Sequence, residues 1–462
     1  MQQSILIGLL SLLLVPNIYS VRTENNNLST SPKREVEGNA PHRSSRKNNI
    51  EKNPNILLSE DAAWCWFSDP RAIYHNGIKE AIYFSYINSD GDVIIKSMEL
   101  DSKRIDEFTL HKALQIDDHN VAALLILPDG KLLVFYCQHN GNIFMRKSKT
   151  AENISEWEDE VILLKMDDKR RYCYVNPVIL SEENSRIYLF GRNIVRNSSG
   201  TYSDTRTYCI YSDDLGTTWS KEFNILDNLG LNSRQYFKVA SDNKARIDFL
   251  FTNGHPGEGE NISIYHMYYE KENFRQTNGT HIRSFEEEIP IGIDKINKVY
   301  DADATSIRSW IWDITLDKKN RPVITYALYP SFTDHQYYYA RWNGREWINT
   351  KIVDAGKYIT IVKSGEKLRE PHYSGGIVLD HSNPDNIFLS RQIDDKFEIE
   401  RRVIGKNGKQ RIESVTSNSK ADNIRPFVVS GKNKGFSILL WMEGDYYHYT
   451  DFNTNLNYRE IE

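Results

Sequence analysis

Four side chains in two neighbouring hairpins carry the strongest signal for chemistry. Residues 119–139 read His-Asn-Val-Ala-Ala-Leu-Leu-Ile-Leu-Pro-Asp-Gly-Lys-Leu-Leu-Val-Phe-Tyr-Cys-Gln-His. Two apolar runs flank Pro128-Asp129-Gly130, a turn tripeptide, and together they predict a β-hairpin. Closing the loop with Leu127 opposite Lys131 carries the register back until His119 faces His139. Cross-strand partners project to one face about 5 Å apart at Cβ. The open end of this hairpin would therefore present two imidazoles side by side, a site for proton transfer. Residues 174–192 repeat the plan: Tyr-Val-Asn-Pro-Val-Ile-Leu, a polar turn from Ser181 to Ser185, then Arg-Ile-Tyr-Leu-Phe-Gly-Arg. Pairing Leu180 with Arg186 sets Tyr174 opposite Arg192, in the place that the two histidines hold one unit earlier. The competing reading is a chance pair of surface histidines, a packing tyrosine and a sheet-edge arginine. A three-residue turn can also carry a bulge that slips the register by one.

Such residues need a scaffold that brings successive hairpins together, and the chain repeats its hairpin. Arg234-Gln-Tyr-Phe-Lys-Val-Ala turns into Ala-Arg-Ile-Asp-Phe-Leu-Phe, and Trp312-Asp-Ile-Thr-Leu turns into Pro-Val-Ile-Thr-Tyr. Tyr373-Ser-Gly-Gly-Ile-Val-Leu leads to Ile-Phe-Leu-Ser-Arg, and Arg425-Pro-Phe-Val-Val leads to Phe-Ser-Ile-Leu-Leu-Trp. Upstream, Trp66-Phe-Ser-Asp-Pro-Arg-Ala-Ile-Tyr precedes Glu80-Ala-Ile-Tyr-Phe-Ser-Tyr, which makes seven units over roughly 400 residues. A period of about 50–60 residues, with room for four strands each, predicts an all-β, seven-bladed β-propeller. Inner strands line the axis of that fold, so His119, His139, Tyr174 and Arg192 would converge at one end of the channel. The wide spacing near 255–310 suggests an inserted loop. Ser212-Asp-Asp-Leu-Gly-Thr-Thr-Trp219 matches S-x-D-x-G-x-T-W, the Asp-box turn of sialidase-like propellers, and is read as structural.

Composition sets the outer bounds. The chain has 462 residues, 12% of them aromatic, with 27 Tyr and 9 Trp, a richness that suits strands and sugar-binding surfaces. A formal net charge of -5 gives no global pull toward nucleic acid. Residues 1–20 read as a signal peptide: Ser4 to Val15 is apolar but too short to span a membrane, and Ser20 suits cleavage. Residues 21–55, rich in Asn, Ser, Lys and Arg, read as a disordered leader, and residues 56–462 as the propeller domain. A secreted, extracellular or periplasmic monomer with no membrane segment is expected. Cys65, Cys137, Cys173 and Cys209 fall in strand-like runs and lack zinc-type spacing.

Several of these stretches are shared with a known family. Trp66-Phe-Ser-Asp-Pro-Arg-Ala, Tyr174-Val-Asn-Pro, Trp312-Asp-Ile, Tyr337-Tyr-Tyr-Ala-Arg-Trp-Asn-Gly, Tyr373-Ser-Gly-Gly-Ile and Ile424-Arg-Pro resemble the BNR-repeat family over about residues 56–450. Its best-known enzymes are the β-propeller ulvan lyases of polysaccharide lyase families twenty-four and twenty-five. The resemblance implies β-elimination between a sulfated rhamnose and a uronic acid, with an acidic sulfated polysaccharide, ulvan, as substrate. It also implies a site of two histidines, a tyrosine and an arginine, matching His119, His139, Tyr174 and Arg192.

Elimination at a uronate sets its own demands. The C5 proton is barely acidic beside a carboxylate, so a cation must neutralise that group as charge develops. Arg192 suits this by its bidentate, permanently charged fork. Tyr174 or His119 would take the C5 proton and the other would protonate the leaving oxygen, the phenol having its pKa lowered by Arg192. His139 would position substrate or tune His119. Arg234, Tyr236 and Lys238 in the next unit are expected to bind acidic sugar groups, with Arg71 and Arg425 as weaker candidates of the same kind. The chemistry requires no cofactor. The family also implies a structural zinc or calcium, for which His255, His266, His281 and His335 are the available ligands. Two other classes fit the fold. A sialidase-like glycoside hydrolase would want a carboxylate pair or a Tyr–Glu nucleophile with an arginine triad. A carbohydrate-binding propeller would need no catalytic set.

Overall fold

The computed structural model describes residues 54–462, apart from 197–201, 228–233, 258, 260, 332, 358–374, 406–407 and 430–436. The expected signal peptide, nearly all of the leader, and Tyr373 lie outside the described residues. Seven antiparallel sheets follow one another along the chain, each built on a four-stranded core. They are the blades of a seven-bladed β-propeller. Each of the seven hairpins read from the sequence is the inner hairpin of one blade. The last blade closes the ring. Its outer strand is the first among the described residues, Ile56–Ser59, which pairs antiparallel with Asp451–Ile461 and so ties the two ends of the propeller domain together. This closure completes the last blade, and radial repetition leaves each blade only short, protected edges.

The alternating strands bury both faces against neighbouring blades, so even the second strand Leu132–Cys137 is buried at every position. Four indoles, Trp64, Trp310, Trp312 and Trp441, are among the largest fully buried side chains. The Asp-box works as a turn lock. Asp214 accepts from Thr218 N and Oγ1 (both 2.7 Å), Ser212 Oγ accepts from Gly216 N (2.8 Å), and Trp219 packs edge-on against Phe135 of the preceding blade. The insertion near 255–310 is not a loop. It adds the strands Asn273–Gln276 and His281–Ser284 to the outside of the fourth blade, while Ile291–Gly292 reaches across in parallel to Phe223–Asp227. All four cysteines are buried free thiols.

One segment is irregular apart from a single antiparallel bridge between Ala63 and Ile87. The stretch from Ala62 to Pro70 threads the axis as a plug; the strand expected from Trp66 starts only at Ala72. Its groups bond to several blades. Trp64 Nε1 donates to Arg425 O and Trp66 Nε1 to Ile311 O (both 3.2 Å), Asn176 Nδ2 donates to Phe67 O (2.9 Å), and Cys65 N donates to Asp118 O (3.1 Å). An irregular buried backbone must find partners for its carbonyls. Here three cations supply them: Arg425 at Trp64 O (2.7 Å), Arg71 at Cys65 O, and Lys238 at Trp66 O.

Candidate active site

The histidine hairpin keeps the register expected of it, with Ala123 opposite Phe135 and Ile126 opposite Leu132. Its strands, however, stop short of the histidines. His119 belongs to a 3-10 turn, Asp118–Asn120, capped by Asp117. The rings still meet, stacked with centroids 4.0 Å apart and planes 13° from parallel. A shared carboxylate holds them there. Asp117 Oδ1 accepts from His119 Nδ1 at 2.6 Å and Oδ2 from His139 Nδ1 at 2.9 Å. Two donors on Nδ1 leave each Nε2 as the ring nitrogen that can exchange a proton elsewhere. Both side chains keep some solvent contact, 13% and 19%, whereas Asp117 has 2%. Tyr449 stands edge-on to both rings.

Electrostatics follow from that clamp. Burial alone would raise the Asp117 carboxyl, but the two imidazoles outweigh it and hold the group below the usual carboxylate range. Burial likewise opposes charge on His119, yet Cys65, Asp117 and Tyr174 together raise its pKa well above 6.5. Asp118 lies 3.1 Å from His119 Nδ1 and is itself paired with Arg425.

The second hairpin carries the bulge that the first could have had. Pairing from Leu180–Arg186 to Asn176–Phe190 follows the expected register; it then shifts, so that Arg192 faces Cys173. Tyr174 sits in the bulge with φ of 63°, a left-handed conformation that a bulky residue rarely adopts. The bulge re-aims the phenol instead of losing it. Tyr174 lies 5.7 Å from His119, ring to ring, and the Arg192 guanidinium stands 4.7 Å above the Tyr174 ring and 4.5 Å from that of Tyr236. The four residues therefore form one cluster.

Two properties of this half of the cluster matter. Burial pushes the Tyr174 phenol well above its ordinary value; the opposing pull of Arg192, expected to lower it, is outweighed. The phenol is thus a proton donor at neutral pH. Arg192 is 1% exposed, has no carboxylate partner among the described residues, and leaves Nε and Nη1 without a hydrogen bond. Leaving a buried charged donor unmatched costs at least about 1–3 kcal/mol.

The other sequence candidates divide. Tyr236 joins the cluster, and exposed Arg234 stands near enough to act on His255. Lys238, Arg71 and Arg425 do not face a ligand: all three are buried, spent on the plug carbonyls and on Asp69 and Asp118. Lys238 and Arg425 find those partners far away in sequence, which hid their role, whereas Arg71 finds its own within six residues, at Cys65 and Asp69. Asp117 and His255 are the residues sequence reasoning left out of the cluster. Burial, then Arg234 and Arg192, lower the His255 pKa to about 3. Its Nδ1 accepts from Gly257 N at 3.0 Å, so the neutral ring carries its proton on Nε2, beside Tyr236 and Trp310. As metal ligands the four histidines do not assemble. His266 is tied to Asp248 and Thr277 (3.0 and 2.9 Å), and none of the four joins a close group of ligand atoms among the described residues. The groups that do come close, Cys65–Asp118–His119 and Asp117–His119–His139, belong to the histidine cluster described above.

Comparison with known proteins agrees with the architecture. A family model described as BNR repeat-containing family member matches residues 81–355. A solved structure of a polysaccharide lyase, PL25 ulvan lyase, bound to GlcA(1-4)Rha3S superposes with a TM-score of 0.66 at 14% identity, covering 88% of this chain and 96% of that one. A second structure of that ulvan lyase gives 0.65 at 14% identity with the same coverage. An intramolecular trans-sialidase from Ruminococcus gnavus gives 0.39 at 12% identity, covering 75% of this chain and 96% of that one. No curated protein matches the sequence.

Proposed function

The chain belongs to the BNR repeat-containing family, and from that membership and the site geometry we propose that it is a polysaccharide lyase. Its substrate on this reading is an acidic, uronate-bearing polysaccharide, with ulvan the first to test, and it works by β-elimination. The observation that carries the proposal is Arg192, a buried guanidinium with open donors beside a phenol and an imidazole pair. Nothing in ordinary packing calls for that arrangement, and a uronate carboxylate would satisfy it.

The steps divide among the groups as follows. Arg192 grips the carboxylate and stabilises charge developing toward the enolate. The imidazole pair, acting through His119, takes the C5 proton, and its electron pair forms the C4–C5 double bond as the C4–O bond breaks. Tyr174, kept protonated by burial, gives its proton to the departing oxygen. Asp117 stabilises the imidazolium that results. His255 offers a neutral N–H donor and Arg234 a cation at the rim. Export through cleavage after residue 20 is part of the same reading, and N-terminal sequencing of the mature protein tests it.

The deciding assay incubates the protein with ulvan and follows ultraviolet absorbance of the unsaturated product. Absorbance that grows with new reducing ends supports the lyase. Reducing ends without absorbance would indicate hydrolysis, and retained binding with neither signal a carbohydrate-binding propeller.

A further inference from the structure

The inner strands run away from the catalytic cluster toward a second opening of the channel. A cavity of about 480 Å³ lies there, within the range of small-molecule sites, and segments of all seven blades contribute to its lining. The plug divides the two ends: its Phe67 touches Tyr174, while Asp69 and Pro70 line the cavity. The cavity wall carries half-buried Ile73, Ile179, Val239 and Phe427, each from a different blade.

The floor is polar and unevenly satisfied. Asn176 is 1% exposed; its Nδ2 is committed to Phe67 O, and its Oδ1 accepts no hydrogen bond. Asp69 Oδ2 is bonded by Lys238, while Oδ1 lies 3.7 Å from Arg71 Nε and also accepts none. Asp313 holds His381 Nε2 at 3.0 Å from both oxygens. Each carboxylate at the floor already has a cation, so the site asks for hydrogen-bond donors and apolar surface, not for an ion.

We propose that this opening is a second ligand site, taking a neutral polyhydroxy molecule the size of one sugar ring. Hydroxyl groups donate to Asn176 Oδ1 and Asp69 Oδ1, and a C–H face lies against Phe427 and the aliphatic wall. The proposal is independent of the lyase reading, because no residue named for it belongs to the catalytic cluster.

The test titrates the intact protein with L-rhamnose, D-xylose and D-glucose by saturation-transfer NMR, with n-butylammonium and inorganic sulfate as charged controls. At least one sugar is expected to bind with a Kd on the order of millimolar. Val239→Trp, which fills the cavity, is expected to weaken that binding at least about tenfold while His139→Ala leaves it unchanged. Ile179→Trp fills the cavity from another blade and decides the matter if the first variant fails to fold. Four results overturn the proposal: no sugar saturating below roughly 100 mM, wild-type affinity in the folded filled variants, loss of binding in His139→Ala, or a charged control binding in place of the sugars.

Discussion

Arg192 and Arg425 each stand near the axis in an inner hairpin, each 1% exposed and each lying over two aromatic rings at 4.3–4.9 Å. Arg425 bonds Trp64 O and the Asp118 carboxylate, which also accepts from Tyr446 at 2.5 Å. Among the described residues Arg192 has no carboxylate partner, and two of its donors make no hydrogen bond. Burial and residue type are the same, so neither distinguishes a binding arginine from a bracing one. What separates them is whether the protein itself has already supplied the counter-charge. The sequence, which shows residue types and not partners, set Arg425 beside Arg192 as a candidate for anion binding.

The comparison breaks most cleanly by removing each guanidinium. Arg192→Met should lower kcat/KM on ulvan by roughly 10³-fold or more, the loss of the main charge stabiliser. Its stability should stay level or rise, because an uncompensated buried charge is replaced by packing. Arg192→Lys should not rescue activity, since a point charge cannot replace the fork. Arg425→Met should do the reverse, destabilising the fold by about 3–5 kcal/mol by stranding Asp118 while the folded fraction keeps its turnover. Thermal melts beside ultraviolet rates read both; an Arg192 variant that melts like the Arg425 variant would erase the distinction.

A smaller effect is expected where a carboxylate orients rather than binds. Asp117→Asn keeps the shape but removes the charge that fixes both imidazoles. We expect kcat to fall roughly 10²-fold with KM little changed. The pH profile gives a second readout. His119 is raised above 6.5 in the wild type, so the basic form gains population as pH rises, and activity should climb on the alkaline side of neutrality. Removing the Asp117 charge lowers that pKa, so the rising limb should move toward acid. Stability linkage carries the matching sign: the raised His119 contributes fully below about 6.5 and loses its contribution as pH climbs through the folded value. A limb that stays in place would assign Asp117 to scaffolding.

How much of this was legible follows from the range of each interaction. The hairpin of residues 119–139 encodes its own turn and alternation, and its ladder is in the register that Leu127 and Lys131 dictate. The ring of seven blades was readable for the same reason, since each hairpin is local. The Tyr174 bulge was not, because no residue type marks it, and its consequence was a slip between Cys173 and Asn176. The plug was misread as the start of a strand because Trp66 to Tyr74 leads directly into the apolar run from Glu80 to Tyr86. Its carbonyls are held by cations of very different range: Arg71 reaches back six residues to Cys65 O, while Lys238 and Arg425 come from 172 and 361 residues away. Asp117 was passed over although it lies two residues from His119, since its meaning depends on reaching His139 as well.

The mildest prediction extends the contrast from the buried cation to the rim. Arg234 is exposed, so solvent screens it and its contribution to holding substrate should be modest. It still acts on His255, whose pKa of about 3 owes its second-largest cause to this residue. Arg234→Gln should therefore raise KM about two- to fivefold and flatten its dependence on salt, with kcat preserved, as expected of a steering charge. The His255 pKa, followed by NMR, should move upward yet stay well below 6.5, because burial is the larger cause and is untouched. A fall in kcat comparable to that of Arg192→Met would place Arg234 at the reacting carboxylate and remove the line drawn between an arginine that waits for substrate and one that only attracts it.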